Sequence, residues 1–514
     1  MVFSAFELRL RGEYNKISQP HEREGDVFCW NGEVFEGLEI KSHENDGRRL
    51  FDELRDVDNA RDVFARIEGP YAFVLYLKST NELVYGRDPL GRRSLLVHRP
   101  SEMEPHFALS SVSRKDACFE DVDPTCLHVL SLSTRSTRRL ERTSPGAKFG
   151  SAARVNRNLP SPSHPLPFSQ HELPVELSNA VDGLISRLSA AVKVRVQTIP
   201  PPAHADQARL GVLFSGGIDC TFITYLAHQH LPISEPIDLL NVAFENPRKI
   251  VFESSIRAGK KLNTHKIKKL NAKGGSMERP PADYAVPDRK TGWQAVEELR
   301  RVCPGRQWNF VEANVPYEEA IASKSDVLDL MWPNRTVMDL SLAQALYFAS
   351  RGVGQLHPSA TPYTSPARVL LNGLGSDELM GGYKRHLSAF HYGGWPALVD
   401  ELQTEVDQIP SRNLGRDDRV VASHGKETRH PYLSLDVLGY LAGLDVWLKV
   451  DPRVAASDVY SGVHVPGDKM LLRLAAQKVG LVEASTRRKR AMQFGSHSAR
   501  MENDGKGDVV LGTE

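Results

Sequence analysis

Ser215, Gly216, Gly217, Asp219 and Cys220 stand together in the hexapeptide SGGIDC. It follows a short apolar run, Leu210 to Phe214, and precedes a stretch in which Phe222, Ile223, Leu226 and Ala227 recur at helical spacing. Strand, glycine turn and helix start make an anion site. Two glycines let the backbone approach a ligand without Cβ interference, and the free amides of the first helical turn point at negative charge. The spacing is not that of a Walker A loop, because Asp219 stands where that motif carries its cationic chemistry. A carboxylate beside phosphate calls for a bridging cation such as Mg²⁺, held jointly by carboxylate and phosphate oxygens. An ordinary strand-to-helix glycine turn matches the same six residues, so a second segment is needed to decide.

That segment is NGLGSDELMGGY, Asn372 to Tyr383, again an apolar run, Val369 to Leu371, ending in a glycine-rich acidic turn. The two segments together resemble the asparagine synthetase family, whose ATP-pyrophosphatase domain combines an SGGxDS loop with a GxGSDE loop in this order. The resemblance implies a doubly wound α/β domain with both loops at the carboxyl ends of adjacent strands. It implies ATP and Mg²⁺ as cofactors. By the same resemblance Ser215, Gly216 and Gly217, with Cys220 in the motif's last position, cradle pyrophosphate, and Asp219 and Asp377 face Mg²⁺. Leu213, Val242, Asn372 and Gly373 match positions around adenosine.

Two further matches lie in the carboxyl-terminal third. RDDRVVASHGKETRHPYL places Gly425, Glu427, Arg429, Pro431 and Leu433 in register with the family's GxExRxPFL segment. GDKMLLRLAA matches the segment whose lysine reaches the reacting phosphates, which makes Lys469 the candidate catalytic residue. A positioned ammonium stabilises charge developing on pyrophosphate, and a lysine opening a helix is disfavoured by the macrodipole, which argues for a ligand there. Arg487 to Gly495, RRKRAMQFG, resembles the family's PKxQF segment, although a basic run near a chain end also suits a solvated surface.

These loops need a scaffold, and the chain is long enough for two domains: 514 residues, 40% hydrophobic, net charge +1. A charge so near zero offers no field for nucleic acid. Five cysteines without CxxC spacing suit a reducing, cytoplasmic compartment. No apolar stretch approaches the length of a membrane span, and the amino terminus lacks a signal-peptide core. Residues 1–130 hold short strand-like runs at Val27–Cys29, Tyr71–Leu77, Leu83–Gly86, Leu95–Val97 and Phe107–Leu109, which predict an α+β domain of layered antiparallel sheets. Residues 131–174, rich in Ser, Pro, Arg and Gly, are expected to be a linker or disordered insertion. Residues 175–495 form the nucleotide domain, with surface loops expected at Asn271–Thr291 and Gln355–Ala367, and 496–514 a polar, frayed tail. A homodimer is compatible with this layout.

In the first domain, WNGEVFEG (Trp30–Gly37) and GRDPLGRRSL (Gly86–Leu95) resemble the family's class II glutamine amidotransferase domain, of amino-terminal-nucleophile fold. The match implies an oxyanion hole at Asn31 and Gly32, glutamine's polar groups at Glu33 and Asp46, and its carboxylate at Arg11. Arg87 with Asp88 also suits a structural ion pair. Such domains use a cysteine as mature first residue, whereas this sequence begins Met1-Val2-Phe3. The expectation is therefore either an upstream segment or a domain that no longer hydrolyses glutamine. Cys29, inside a strand, reads as a buried small hydrophobe.

The nucleotide domain also departs from the pattern. Cys220 replaces a serine and weakens a hydroxyl contact to phosphate. Leu374 occupies a loop position where asparagine synthetases have glutamate, and leucine cannot relay a proton. Ser434 stands where the family has aspartate. Within the family, FSGGID, EPIDLLNVAFE, GRRSLL, GRDDRV and KRAMQFGS are similar to the asparagine synthetase domain-containing group. The resemblance implies an ATP-dependent amide ligase that adenylates aspartate, releases pyrophosphate and accepts ammonia or glutamine-derived nitrogen. A nucleotide-binding or scaffold homologue, and a ligase for another carboxylic acid, remain open on the same residues.

Overall fold

The structure is a computed structural model that describes residues 1–11, 18–41, 43–113, 118–142, 154–168, 172–204, 206–245, 283–454, 459–460, 462–500 and 509–511. The amino-terminal domain contains β1 (His21–Arg23), β2 (Asp26–Gly32), helices α1 (Asp46–Glu53) and α2 (Val57–Arg66), then β3 (Tyr71–Leu77), β4 (Glu82–Arg87), β5 (Leu96–His98), β6 (Ala108–Ser110), β7 (Glu120–Asp121), β8 (Cys126–Ser131) and β9 (Thr137–Glu141). They form an antiparallel sheet of order β1-β2-β3-β4-β8-β9 and a smaller antiparallel sheet of order β6-β5-β7.

The unbroken apolar run of β3 follows from burial on both faces. Tyr71, Phe73, Leu75 and Leu77 pack with α1 and α2, while Ala72, Val74 and Tyr76 pack with the small sheet, as period-2 alternation requires. Stacked aromatic pairs, Phe28 on Phe51 at 5.5 Å and Trp30 on Tyr71 at 5.4 Å, fill the helix side. Asn45 and Asp56 cap the two helices by accepting from the amides of Arg48 and Asn59.

The second domain holds a seven-stranded mixed sheet. Its strands are β10 (Leu210–Leu213), β11 (Ile237–Phe244), β12 (Trp308–Val315), β13 (Val353–Leu356), β14 (Thr361–Thr364), β15 (Val369–Leu371) and β16 (Glu427–Arg429), in order β14-β13-β12-β11-β10-β15-β16. From β12 to β16 the neighbours are parallel. Helices α3 (Val175–Gln197) and α4 (Ile218–His230) pack into one apolar core with the sheet, and the helix Val337–Arg351 into others. The chain moves outward from β10 to β12, then returns to place β15 on the other side of β10. Such a reversal opens a crevice at the carboxyl ends of the two strands.

Several compositional expectations are corrected. Thr137–Glu141, assigned to a linker, is the edge strand β9; its side chains are largely exposed, so no apolar period marks it. Arg142 is buried and donates to the Tyr71 hydroxyl and to the carbonyls of Pro124 and Arg87. Residues 143–153 and 169–171 of that stretch lie outside the described residues, but Val155 is buried and its amide donates to Gln403. Of the expected loop Asn271–Thr291, residues 271–282 lie outside the described residues and Pro287 opens a helix. Gln355–Ala367 contributes the hairpin β13–β14. In the supposed tail Ser496 and Ser498 are buried, and Thr336 bridges to Val510, while 501–508 and 512–514 lie outside the described residues. Among the described residues no helix is long and apolar enough to cross a membrane.

The two domains meet through buried charge. Arg92 forks onto Glu68, binds Asp88, and donates to the Leu433 carbonyl of the second domain. Arg195 of α3 reaches the other Glu68 oxygen, and Arg93 joins Asp418 and Glu427. Arg429 pairs with Glu427 and with Glu33 across the boundary, and the guanidiniums of Arg195 and Arg429 lie 4.6 Å and 5.4 Å from the Phe35 ring centroid, within cation–π range. Burial alone would raise the Glu68 carboxyl, but Arg92 and Arg195 outweigh it and hold it at about 2.

Removing one partner of such a pair leaves an uncompensated buried charge, so Arg92→Met should cost about 3–5 kcal/mol in urea unfolding. Because the folded Glu68 pKa lies below its ordinary 4.5, its stabilisation is present above pH 4.5 and lost as pH falls through about 2. Arg92→Met should reduce that acid-dependent loss, which urea midpoints across the same pH range measure.

Candidate functional site

At the end of β10 the chain turns through Ser215-Gly216-Gly217 into α4. Gly216 has φ +77°, and a Cβ there would meet the Thr291 carbonyl group at 2.5 Å, so only glycine fits. The Gly217 carbonyl accepts from Thr221 Oγ1 at 2.8 Å, fixing the first turn, and the Gly217 amide donates to Ser215 Oγ at 3.3 Å. Cys220 is buried against this turn with its Sγ on the Gly217 carbonyl, and burial pushes its thiol up. It acts as packing rather than as a nucleophile.

The second loop leaves the adjacent strand β15. The Asn372 amide donates to the Arg429 carbonyl on β16, and Asn372 Oδ1 accepts from the Leu374 amide. Gly373 lies directly on Asp219: a Cβ added at Gly373 would meet Asp219 Cβ at 2.9 Å. Beyond it, Asp377 opens the short helix Ser376–Met380. Leu374 packs against the main apolar cluster.

Lys469 unites the two loops. It holds a left-handed conformation, φ +49°, before the helix Met470–Lys478, and its amide donates to the Met380 carbonyl. The side chain is 1% exposed, and Nζ lies 2.8 and 2.9 Å from the Asp219 oxygens and 3.0 Å from Asp377 Oδ1. Burial would lower its pKa, yet the two aspartates more than reverse this and keep it a cation. Lys489 reaches Asp377 Oδ2 at 2.6 Å. Burial would raise the Asp377 carboxyl, but the two ammoniums hold it at about 2.

Ser215, Gly217, Asp219 and Lys469 line an open cleft, together with Asp288, Thr291, Arg473 and the run Arg487–Arg490. Sequence reasoning noted that run only as a resemblance and assigned none of its cations to a site. Arg473 positions it by donating to the Ser485 and Arg487 carbonyls, and Arg487 donates to the Gly216 carbonyl at 3.2 Å. Asp288 was missed altogether. Burial pushes its carboxyl up to about 7, with Arg490 opposing. The cleft therefore has cationic walls around glycine backbone, an arrangement that suits a polyphosphate. Asp219 and Asp377 are hard oxygen donors on facing loops whose carboxylates converge on the Lys469 ammonium; this donor set fits Mg²⁺ shared with phosphate oxygens. Leu213 and Val242 are not in the cleft's lining; they flank it at the ends of β10 and β11 in a shared apolar cluster with Ala313 and Val315.

In the first domain, Arg11, Glu33 and Asp46 come together. Arg11 pairs with Glu33 at 2.9 Å and donates to the Val34 carbonyl, while Asp46 accepts from the amides of Val34 and Gly47. Burial raises the Glu33 carboxyl, with Arg429 opposing. Asn31 is exposed on β2, and a Cβ added at Gly32 would meet the Pro70 carbonyl oxygen at 2.5 Å. Asp88 pairs with Arg92, whereas Arg87 donates to the carbonyls of Gly91 and Arg93. The Cys29 thiol is pushed up to about 11 by burial, as suits a packing residue.

Comparison with known proteins gives close relatives. The chain is 35% identical to asparagine synthetase domain-containing protein 1 of Bos taurus over 98% of its own length and 89% of the relative's, and 34% identical to that of Homo sapiens over 98% and 88%. A putative glutamine-hydrolyzing asparagine synthetase of Methanocaldococcus jannaschii is 22% identical over 86% of this chain and 69% of its own. No family model matches.

Asp288 gives the cleft a pH dependence with a definite sign. As pH rises through about 7 it gains negative charge on the cleft wall, so affinity for a pyrophosphate probe should fall relative to Asp288→Asn, by roughly tenfold for one charge a few ångströms away. Asp288→Asn should flatten this component, and titration calorimetry of both proteins on either side of neutrality measures the difference.

Proposed function

Because the chain belongs to the asparagine synthetase domain-containing proteins, we propose that it is an ATP-dependent amide ligase of the asparagine synthetase type. The observation that carries this reading is Lys469 held between Asp219 and Asp377, on two glycine loops at the carboxyl ends of adjacent parallel strands. Aspartate's side-chain carboxylate attacks the α-phosphorus of ATP, forming β-aspartyl-AMP and releasing pyrophosphate. Ammonia then attacks the acyl carbon, and asparagine and AMP leave. Adenylation replaces an oxide that cannot depart by a phosphate ester that can.

Each residue has a role in this proposal. Ser215, Gly216 and Gly217 cradle the pyrophosphate, and Leu213, Val242, Asn372 and Gly373 surround the adenosine. Asp219 and Asp377 would hold Mg²⁺, which when bound neutralises phosphate charge. Lys469 steadies the charge that accumulates on the leaving pyrophosphate, and because it is buried, water does not screen it. Arg487–Arg490 continue that positive surface along the cleft. Arg11, Glu33 and Asp46 would receive glutamine if the nitrogen is supplied by the first domain.

A second reading, an ATP-binding homologue without amide formation, is favoured by one observation. Leu374 contributes an apolar side chain, packed on the core, at the loop position where proton handling needs a titratable group. The two readings separate in an aspartate-dependent exchange of pyrophosphate into ATP. The ligase exchanges, and Lys469→Ala loses about 100- to 1,000-fold of that rate. Nucleotide binding without exchange establishes the second reading, and exchange supported by another carboxylic acid identifies a different substrate. Leu374→Glu should raise asparagine formation if the ligase site is intact apart from this position, as amino-acid analysis of the products would show.

A further inference from the structure

His98 closes β5 in the small sheet of the amino-terminal domain, where none of the chemistry above is placed. Its ring is buried, and its Nδ1 lies 3.0 Å from the His106 carbonyl oxygen. A carbonyl only accepts, so Nδ1 carries a proton, and Nε2 is the ring atom left to take either a second proton or a metal ion. That Nε2 is buried without a hydrogen-bond partner, yet it lies 2.8 Å from Glu104 Oε2. A ring nitrogen and a carboxylate this close are bridged by a proton or by a metal ion.

A third donor stands beside them. The His106 ring is stacked on His98 at 4.6 Å between centroids, and one ligand atom from each of His98, Glu104 and His106 falls within 4.8 Å of the others. The loop is built to hold this set. Glu104 and Ser101 exchange hydrogen bonds, the Glu104 amide to Ser101 Oγ and the Ser101 amide to the Glu104 carbonyl. Phe119 leans on His98 from the strand side. Glu104 and His106 are exposed, so an ion has an open path.

We propose that His98, Glu104 and His106 bind a divalent transition-metal ion of the zinc type, which fastens the loop 99–107 onto β5. Two imidazoles and one carboxylate are the donors such ions take, with water completing the shell. The Nδ1–H bond of His98 to the His106 carbonyl is the outer contact that sets the ligand's tautomer. Binding joins two exposed loop residues to a buried strand end, so the ion stabilises the small sheet. The competing arrangement is an imidazolium–carboxylate pair, which needs no metal.

The test uses the full chain, stripped with a chelator and titrated with Zn²⁺ by calorimetry and with Co²⁺ by visible absorption. One equivalent should bind, produce a Co²⁺ ligand-field band, and raise the melting temperature. Glu104→Gln and His106→Ala should each weaken Zn²⁺ at least about tenfold and remove the band; both residues are exposed, so neither variant opens the core. Absence of the band in the wild-type chain, or wild-type Zn²⁺ affinity retained in either variant, overturns the proposal in favour of the imidazolium pair.

Discussion

A lysine ammonium cannot be buried without opposite charge, and Lys469 is 1% exposed. Its two counter-charges come from different loops, Asp219 after β10 and Asp377 after β15, and its backbone is fixed by the Met380 carbonyl. Withdrawing either loop would leave the ammonium partly uncompensated. This one cation therefore sets the spacing of the crevice that the strand order opens. It also ties the carboxyl-terminal segment to the sheet: the helix that Lys469 starts carries Arg473, whose guanidinium holds the run Arg487–Arg490 at the cleft's rim.

The same principle operates at the domain boundary on a larger scale. Arginines there lie within a few ångströms of Glu68, Glu427, Asp418 and Glu33, all shielded from water. Buried pairs of this kind add little net stability over apolar packing, but they penalise any misalignment severely, because a displaced partner strands a charge. They act as registration between the two domains. Arg429 stands at a junction: its side chain meets Glu33 of the first domain and its carbonyl accepts the Asn372 amide of the loop after β15. The Glu33 cluster is thus linked to that loop by one ion pair, the Arg429 backbone and one hydrogen bond.

What the sequence disclosed, and what it hid, follows from where each element's information lies. SGGIDC and GLGSDE were legible because their demands are local: a glycine where a Cβ would strike Thr291, a carboxylate in the first turn of a helix. The strand Tyr71–Leu77 was legible because both of its faces are buried. Thr137–Glu141 was not, because an exposed edge strand may be polar on both sides, and its sequence TRRLE carries no period. Glu68 and Asp288 are single acids in ordinary surroundings along the chain, and only tertiary contact makes one an ion-pair hub and buries the other so that its carboxyl is pushed up. The cations of Arg487–Arg490 looked like a solvated run for the same reason: nothing near them in sequence says that Gly216 lies 3.2 Å away.

The site separates two kinds of requirement that sequence comparison tends to merge. Holding a polyphosphate needs a glycine backbone, positive walls and buried counter-charge, and these are distributed over many residues. One substitution, such as cysteine for serine at position 220, alters only one contact among them. Handling a proton is different, since it needs a titratable atom at one place, and no surrounding field supplies it where the side chain is hydrocarbon. Leu374 lies between Asn372, whose side chain fixes its amide, and Gly375, whose positive φ turns the chain into the Asp377 helix. The loop's backbone is thus held by residues other than the one that would perform chemistry. A substitution at position 374 therefore changes the side chain presented there while Asn372 and Gly375 still hold the backbone.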